Sequence, residues 1–504
     1  MPNIICEFEK IVQRFPQKKA VSFRDNSYTF EELKSKAQQI ARTIKKLNVV
    51  NQPIVVLAER DITTVSGFLG VLYSGNYYVP VDPEMPIEKI SAIVEDSCAK
   101  WILGSSEYAD RYNEYITDCG YVSLDEAMLP EVGLAKDDNL IIIEKKENNP
   151  LYLVYTSGST GKPKGVLKSH EAQLDFIENY KKEFGFTEDE IIGNQTPFFF
   201  DASAKDLYMT LLIGCTLEIL PSTLFTLPPE LIDYLNEKRV TFISWVPSAL
   251  SIVAQLNPFS LVVPKYLRRV FFVGEVMPMK HLNIWRKTLP QLEYVNLYGQ
   301  SEIAGICCYY RVQGEFENTD TLPIGKPLHN TQLYLVDKLG NVINDPGVQG
   351  ELYVVNKALA MGYFNNEKST AESFCRKDFG NGPERAFKTG DYASLDESGN
   401  YIFASRQDFQ IKHMGHRIEL GEIETVLMGL KDVARCCCLY DSNKKRIVLF
   451  AELVMDSELS MADIRTYLKE KLSNYMVPGK IQILESLPLN ANGKIDRQEL
   501  KKMM

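Results

Sequence analysis

"QPIVVLAERDITTVSGFLGVLYSGNYYVPVDPEMP", residues 52–86, carries the alternation that decides the fold. Gln52 to Glu59 is a short, nearly continuous apolar run, the composition of a strand buried on both faces. "TTVSGFLGVLYSGN" follows and reads as a helix running to Asn76, and "YYVPVDPEMP" closes the unit. A helix precedes it, because apolar residues recur at helical spacing from Phe30 to Leu47. Further apolar strands are "AKWILGSS" at Ala99, "VTFISWVPS" at Val240, "RRVFFVGE" at Arg268 and "LEYVNLYG" at Leu292. Strands separated by helices predict an α/β protein with mostly parallel sheets flanked by helices. Such sheets gather ligands at the carboxyl ends of their strands, which points to Val246 to Ser248, to Gly274 and Glu275, and to Tyr298 through Gly299 to Glu302.

The character changes around Ser405. The last hundred or so residues read as a small α+β pattern: a helix from Leu420, strands "ARCCCLY" and "RIVLFAELV", then a helix from Ser460. A chain of 504 residues is expected to split in any case, since single cores rarely grow past about 250 to 300 residues.

Composition narrows the partners. Net charge is -10 with no long basic block, which argues against nucleic acid. The most apolar stretch, "LYMTLLIGCTLEIL" from Leu207, is too short for a membrane span and contains Glu218; the start lacks a secretory pattern, so a cytoplasmic protein is expected. The ten cysteines include Cys307-Cys308 and Cys436-Cys437-Cys438 but no C-x-x-C, and reduced, mostly buried thiols are expected. His413 and His416 lie in a Gly-containing loop without carboxylate partners, so a structural metal is not expected.

"YTSGSTGKPKG", Tyr155 to Gly165, is the most unusual run. It sets Thr156, Ser157, Ser159 and Thr160 among Gly158, Gly161 and Gly165, with Lys162 and Lys164 on either side of Pro163. The Walker register G-x-x-x-x-G-K-[ST] fails here, because Pro163 stands where its second glycine belongs. Hydroxyl donors, open backbone N–H groups and ammonium groups between two apolar runs read as a strand-to-strand loop that meets a polyphosphate.

These motifs together resemble the adenylate-forming superfamily, within it the amino-acid adenylation domains of nonribosomal peptide synthetases and the D-alanine carrier protein ligases. The resemblance covers nearly the whole chain, in the family's order: "YTFEEL" at Tyr28, "LYSGNYYVPVDP" at Leu72, "YTSGSTGKPKG", "FDAS" at Phe200, "NLYGQSE" at Asn296, "GELYVVNKALAMGYFN" at Gly350, "FKTGD" at Phe387, "SRQDFQIKHMGHRIELGEIE" at Ser405 and "NGKIDR" at Asn492. It implies a large domain over residues 1–405 that binds ATP and substrate, a hinge at 406–408, and a small mobile domain over 409–504. It also implies an ATP- and Mg2+-dependent ligase that turns an amino acid into an aminoacyl-adenylate and then loads the phosphopantetheine thiol of a carrier protein. Because no carrier segment follows Met504, the carrier is expected in trans; a monomer is expected, as is common in the family.

The same resemblance assigns residues. Thr156, Ser157, Gly158, Ser159, Thr160, Gly161 and Lys164 would grip the β and γ phosphates. Lys494 would meet the α phosphate as charge builds there; one ammonium at about 4 Å is worth on the order of 4 kcal/mol at an effective dielectric near 20. Glu302 would hold Mg2+ through shared phosphate oxygens. Tyr298 would stack on adenine with Asn296 at its edge, Asp391 would accept the ribose hydroxyls, and Arg406 would support the nucleotide. Asp408 falls at the hinge, and Gly415 on the route of the incoming thiol. Asp201 matches the aspartate that pairs with the substrate's α-ammonium group, although alone it reads as a helix N-cap for "ASAKDLYMTLL". Lys205, one helical turn on, is expected either to pair with Asp201 or to await an acidic or carbonyl-bearing substrate side chain. Ser244, Phe271, Val273, Leu297, Gly305 and Ile306 complete the implied pocket.

Two motifs depart from the family. "YGQSE" replaces the usual Y-G-P-T-E, so Gln300 and Ser301 keep a polar loop without its proline, and "SRQD" replaces G-R-x-D with Ser405. The competing readings are an acyl-CoA ligase for an aryl or fatty acid, and a silent ATP-binding protein.

Overall fold

The computed structural model describes residues 3–129, 149–156, 163–380, 382–406, 410–455, 457–488 and 495–504. The chain divides into two compact units: Met1–Pro83, Asp96–Val154 and Gly165–Gln407 form the first, and Glu84–Glu95, Tyr155–Lys164 and Asp408–Met504 the second.

The opening stretch folds as its alternation predicts, with strand Pro53–Leu57, helix Ile62–Tyr73 and strand Tyr77–Val81, the two strands parallel. They sit in a seven-stranded sheet ordered Gly362–Tyr363, Lys164–Ser169, Pro150–Thr156, Tyr77–Val81, Pro53–Leu57, Trp101–Gly104, Gly120–Ser123. Helix Ile62–Tyr73 packs against strands of this sheet and of the next, which is why it is apolar all round and buried along its length. Helix Phe30–Lys45 beside it starts at a capping box, Thr29 accepting from the Glu32 N–H and Glu32 from the Thr29 N–H.

A nine-stranded sheet carries the other strands read from sequence. Its middle, Glu293–Tyr298, Arg269–Val273, Phe242–Trp245, Ile191–Asn194, Thr216–Ile219 and Lys19–Phe23, is parallel throughout, and antiparallel pairs close both edges. Pleating sends alternate residues to two cores. Phe271, Val295 and Leu297 join the core shared with the first sheet, while Trp245, Val270, Phe272 and Tyr294 pack under helices Pro228–Glu237, Pro247–Leu256 and Met279–Thr288. A third sheet was not foreseen. It is antiparallel, ordered Val342–Ile343, Gln332–Val336, Gly350–Val355, Pro383–Leu395, Phe374–Asp378, with Tyr401–Arg406 also paired to Pro383–Leu395.

In the second unit, strands Val433–Asp441, Arg446–Leu453 and Lys480–Leu484 form a sheet between helices Leu420–Leu427 and Met461–Lys471 on one face and Arg497–Lys502 on the other. The cysteine triplet shows the pleat: Cys436 and Cys438 face the first pair of helices, Cys437 the side of Leu500. All ten thiols are free, and seven are buried. Among the described residues no helix is long and apolar enough to cross a membrane.

Candidate active site

The long strand Pro383–Leu395 delivers Asp391 into the interior of the first unit, where it is 2% exposed. Its carboxylate accepts from the Tyr298 hydroxyl, from Gln300 Nε2 at 2.8 Å and from an Arg406 guanidinium nitrogen at 2.7 Å. Arg406 stands directly across the strand pair from Asp391, so sheet register sets this contact. Thr389 holds the turn, accepting from the Asp391 N–H at 3.0 Å and donating to the Leu352 carbonyl at 2.7 Å. Burial and the neighbouring Asp391 charge push the Tyr298 phenol well above its ordinary range. Asn296, two residues earlier on the strand, uses its amide nitrogen on the Pro323 carbonyl at 2.8 Å.

Beyond Tyr298 the chain turns tightly. A Cβ on Gly299 would lie 2.0 Å from the Gly305 carbonyl oxygen, so only glycine fits. This turn drives Glu302 inward until it is fully buried, accepting from the Tyr363 hydroxyl at 2.9 Å. Tyr363 is fixed by its pairing with Val166, one strand residue past Gly165. The neighbouring strand end places Glu275, whose carboxylate accepts from the Ser248 N–H at 2.9 Å, after Gly274 at φ 101°.

Asp201 lines a small pocket together with Phe68, Tyr78, Tyr152, Phe198 and Leu207. Phe68, Tyr78, Tyr152 and Tyr208 stack in sequence, and the Tyr78 and Tyr208 hydroxyls meet at 2.8 Å. Asp201 makes no N-cap bond to helix Ala204–Ile213; it accepts from the Tyr152 hydroxyl at 2.7 Å instead. A residue absent from the expected set stands beside it: Lys168 Nζ lies 3.6 Å from Asp201 Oδ2. Burial raises the pKa of Asp201 and lowers that of Lys168, the mutual attraction opposing both shifts. Lys205 does not pair with Asp201. It is buried against its chain neighbour, Lys205 Nζ to Asp206 Oδ1 at 2.8 Å, while Asp206 also accepts from Asn194 at 3.0 Å.

The pocket positions on the nine-stranded sheet follow its register. Ser244 aligns with Phe271, and Val273 with Leu297. Phe271 is enclosed by Phe184, Phe242 and Phe186, whereas the buried Ser244 hydroxyl has no hydrogen-bond partner among the described residues. Gly305 and the buried Ile306 follow the Glu302 turn.

Of the phosphate loop, the flanking strands and Thr156 and Lys164 are described, the Thr156 hydroxyl donating to the Lys164 carbonyl at 3.4 Å. Ser157, Gly158, Ser159, Thr160, Gly161, Asp408 and Lys494 lie outside the described residues. Close after Lys494, Arg497 donates to both Glu424 carboxylate oxygens, at 2.9 and 3.1 Å, and to the Cys438 carbonyl at 2.9 Å. Gly415, at φ 81° after Met414 at φ 52°, is the second residue of the two-residue turn joining strands Gln410–His413 and His416–Glu419.

The first unit thus holds a fully buried acid, Glu302, and a buried carboxylate, Asp391, clamped by an arginine across a strand pair. The AMP-binding enzyme family matches residues 8–364, and the AMP-binding enzyme C-terminal domain matches residues 422–494. The chain is 32% identical to Zwittermicin A synthase ZmaJ of Bacillus cereus over 98% of its own length and 93% of that protein. It is 32% identical to Tyrocidine synthase 1 of Brevibacillus parabrevis, again over 98% of its length, but spans only 44% of that relative. Among solved structures, the Vibrio cholerae adenylation domain AlmE, in complex with glycyl-adenosine-5'-phosphate, superposes with a TM-score of 0.83 over 99% of this chain and 97% of that one at 20% identity. The chain belongs to the AMP-binding enzyme family, as its motifs implied, and is an adenylate-forming ligase.

Proposed function

We propose that this ligase joins an amino acid to AMP at the expense of ATP and passes the aminoacyl group to the phosphopantetheine thiol of a carrier protein. The observation that carries the reading is Asp201: a carboxylate whose side chain is buried at the pocket, held by Tyr152 and free of any helix-capping duty, suits a substrate ammonium group. In the first step the substrate carboxylate attacks the α phosphorus and pyrophosphate leaves; in the second the carrier thiol attacks the mixed anhydride and AMP leaves. Asp391, kept in place by Arg406, Gln300 and Tyr298, accepts the ribose hydroxyls, and Lys494 stabilises charge on the α phosphate. Glu302 fits a hard cation shared with ATP, being a buried carboxylate oriented by a phenol, and Mg2+ there would neutralise phosphate charge. The preference for an acidic side chain rested on Lys205 and is not carried forward, since Asp206 already neutralises that cation.

One observation favours a second reading. Lys168 already gives Asp201 a counter-charge, which suits an acid without an ammonium group, as an acyl-CoA ligase would use. Exchange of labelled pyrophosphate into ATP, screened over L and D amino acids and several aryl and fatty acids, separates the two. A strong signal with one amino acid, followed by its transfer to a phosphopantetheinylated carrier, is the expected result. Silence with all amino acids and turnover of an aryl or fatty acid with free CoA would establish the second reading.

A further inference from the structure

Lys168 occupies an inward position of strand Lys164–Ser169, on the face that Val166 presents to the core, and its side chain is 1% exposed. Its Nζ has no hydrogen-bond partner among the described residues: Asp201 at 3.6 Å is within ion-pair range but beyond hydrogen-bond length. The Glu302 charge also acts on it. An ammonium carries three N–H donors, and leaving them unmatched in a buried site is costly, so this arrangement is built to be completed by an acceptor that arrives from outside the chain. The acceptor's identity follows from the neighbours. Asp201 marks the ammonium end of the substrate and Glu302 the phosphate end. What lies between the two in an α-amino acid is the reacting carboxylate, whose nearer oxygen stands about 3 Å from the ammonium nitrogen by covalent geometry. The Asp201 and Lys168 charges, 3.6 Å apart, form the opposite dipole at matching separation.

We propose that Lys168 binds the reacting carboxylate of the substrate, so that an amino-acid zwitterion closes a ring of alternating charge with Asp201 and Lys168. Lys168 thereby neutralises Asp201 when the site is empty and orients the nucleophilic oxygens when it is filled, a role separate from that of Lys494. This rests on the acid site proposed above.

The test uses the full chain and the acid that the wild type activates best in the exchange screen. In Lys168→Met the KM for that acid is expected to rise about tenfold or more with the KM for ATP within about twofold. The carboxamide of the same acid, which lacks the anionic group, inhibits the variant as well as or better than the wild type, because the ammonium no longer competes with Lys168 for Asp201. An unchanged or lowered KM for the acid would overturn the proposal and leave Lys168 as a simple counter-ion. Parallel weakening of acid and carboxamide would overturn it too, as a structural defect. Lys168→Gln serves if the methionine variant does not fold, and failure of both to fold would assign the residue to stability alone. Should the wild type activate only acids without an amino group, the amino-acid reading fails, while the same acid-against-amide comparison still decides the role of Lys168.

Discussion

Gln300 donates to Asp391 at 2.8 Å and, from the same amide nitrogen, to the Thr389 carbonyl at 3.0 Å. The residue that stands where the family usually has proline is thus a strut beneath the carboxylate proposed to take the ribose. Proline would stiffen the loop through its backbone; glutamine ties the loop across to the neighbouring sheet.

Removing that strut is expected to weaken the nucleotide and leave the acid untouched. Gln300→Leu deletes both donations, each worth about 1 kcal/mol, so the KM for ATP rises roughly fivefold to thirtyfold. Pyrophosphate exchange with ATP and acid varied in turn reads it; an unaltered KM for ATP would show that Asp391 holds its position without help.

Arg406→Met leaves a buried carboxylate without its cation. Breaking such a pair costs about 3 kcal/mol or more. A lower urea midpoint is expected together with weaker ATP binding, and Asp391→Asn in the same background recovers much of the stability but none of the binding. Equal midpoints for the wild type and Arg406→Met would exclude this account.

Lys494→Ala is expected to lower adenylate formation about a hundredfold or more while ATP still binds, the scale for loss of one charge-stabilising group. Arg497→Met releases the end of the same motif from Glu424 and Cys438 and should give a smaller loss, about tenfold, in kcat rather than in either KM. Single-turnover adenylation compares the two; identical kinetics for wild type and Arg497→Met would show that the anchor has no part in presenting Lys494.

Acid sensitivity has an identifiable contributor. Burial pushes His170 down to about 4 from 6.5, and its Nδ1 accepts from the Ile4 N–H at 3.3 Å. Above pH 6.5 both folded and unfolded chains carry it neutral and its full contribution is present. As pH falls towards about 4 the unfolded chain takes the proton first, so up to on the order of 3 kcal/mol of stability is lost across that window. His170→Gln should flatten the difference in unfolding free energy between pH 7 and pH 5; parallel curves for both proteins would place the sensitivity elsewhere.

Much of this was legible from the chain. Long apolar runs bounded by polar residues marked the parallel strands, and charged residues at strand ends, such as Glu302 and Glu275, marked where a site could form. The antiparallel sheet was not, because a strand as short as Val342–Ile343 shows no period, and in Pro383–Leu395 the bulge-like register shifts interrupt the alternation. Lys205 misled because helix spacing placed it over Asp201, whereas its long flexible stem allowed it to reach the adjacent Asp206. Lys168 did leave a signal: in "GVLKSH" it shares a strand face with Val166, so a charge at an apolar, inward position was readable there. What could not be read was its partner, since Asp201 is 33 residues away and only tertiary packing brings them together.

The cysteines bear on chemistry that has nothing to do with adenylation. With Cys119, Cys215, Cys307, Cys308 and the Cys436 to Cys438 triplet buried and Cys375 partly covered, only Cys6 and Cys98 are open to a maleimide, and both belong to the first unit. Replacing those two with serine gives a background that alkylating dyes barely touch. A single cysteine introduced on the exposed face of helix Arg497–Lys502 then carries a fluorophore on the second unit alone, and its signal reports whether that unit moves during turnover without dismantling the fold.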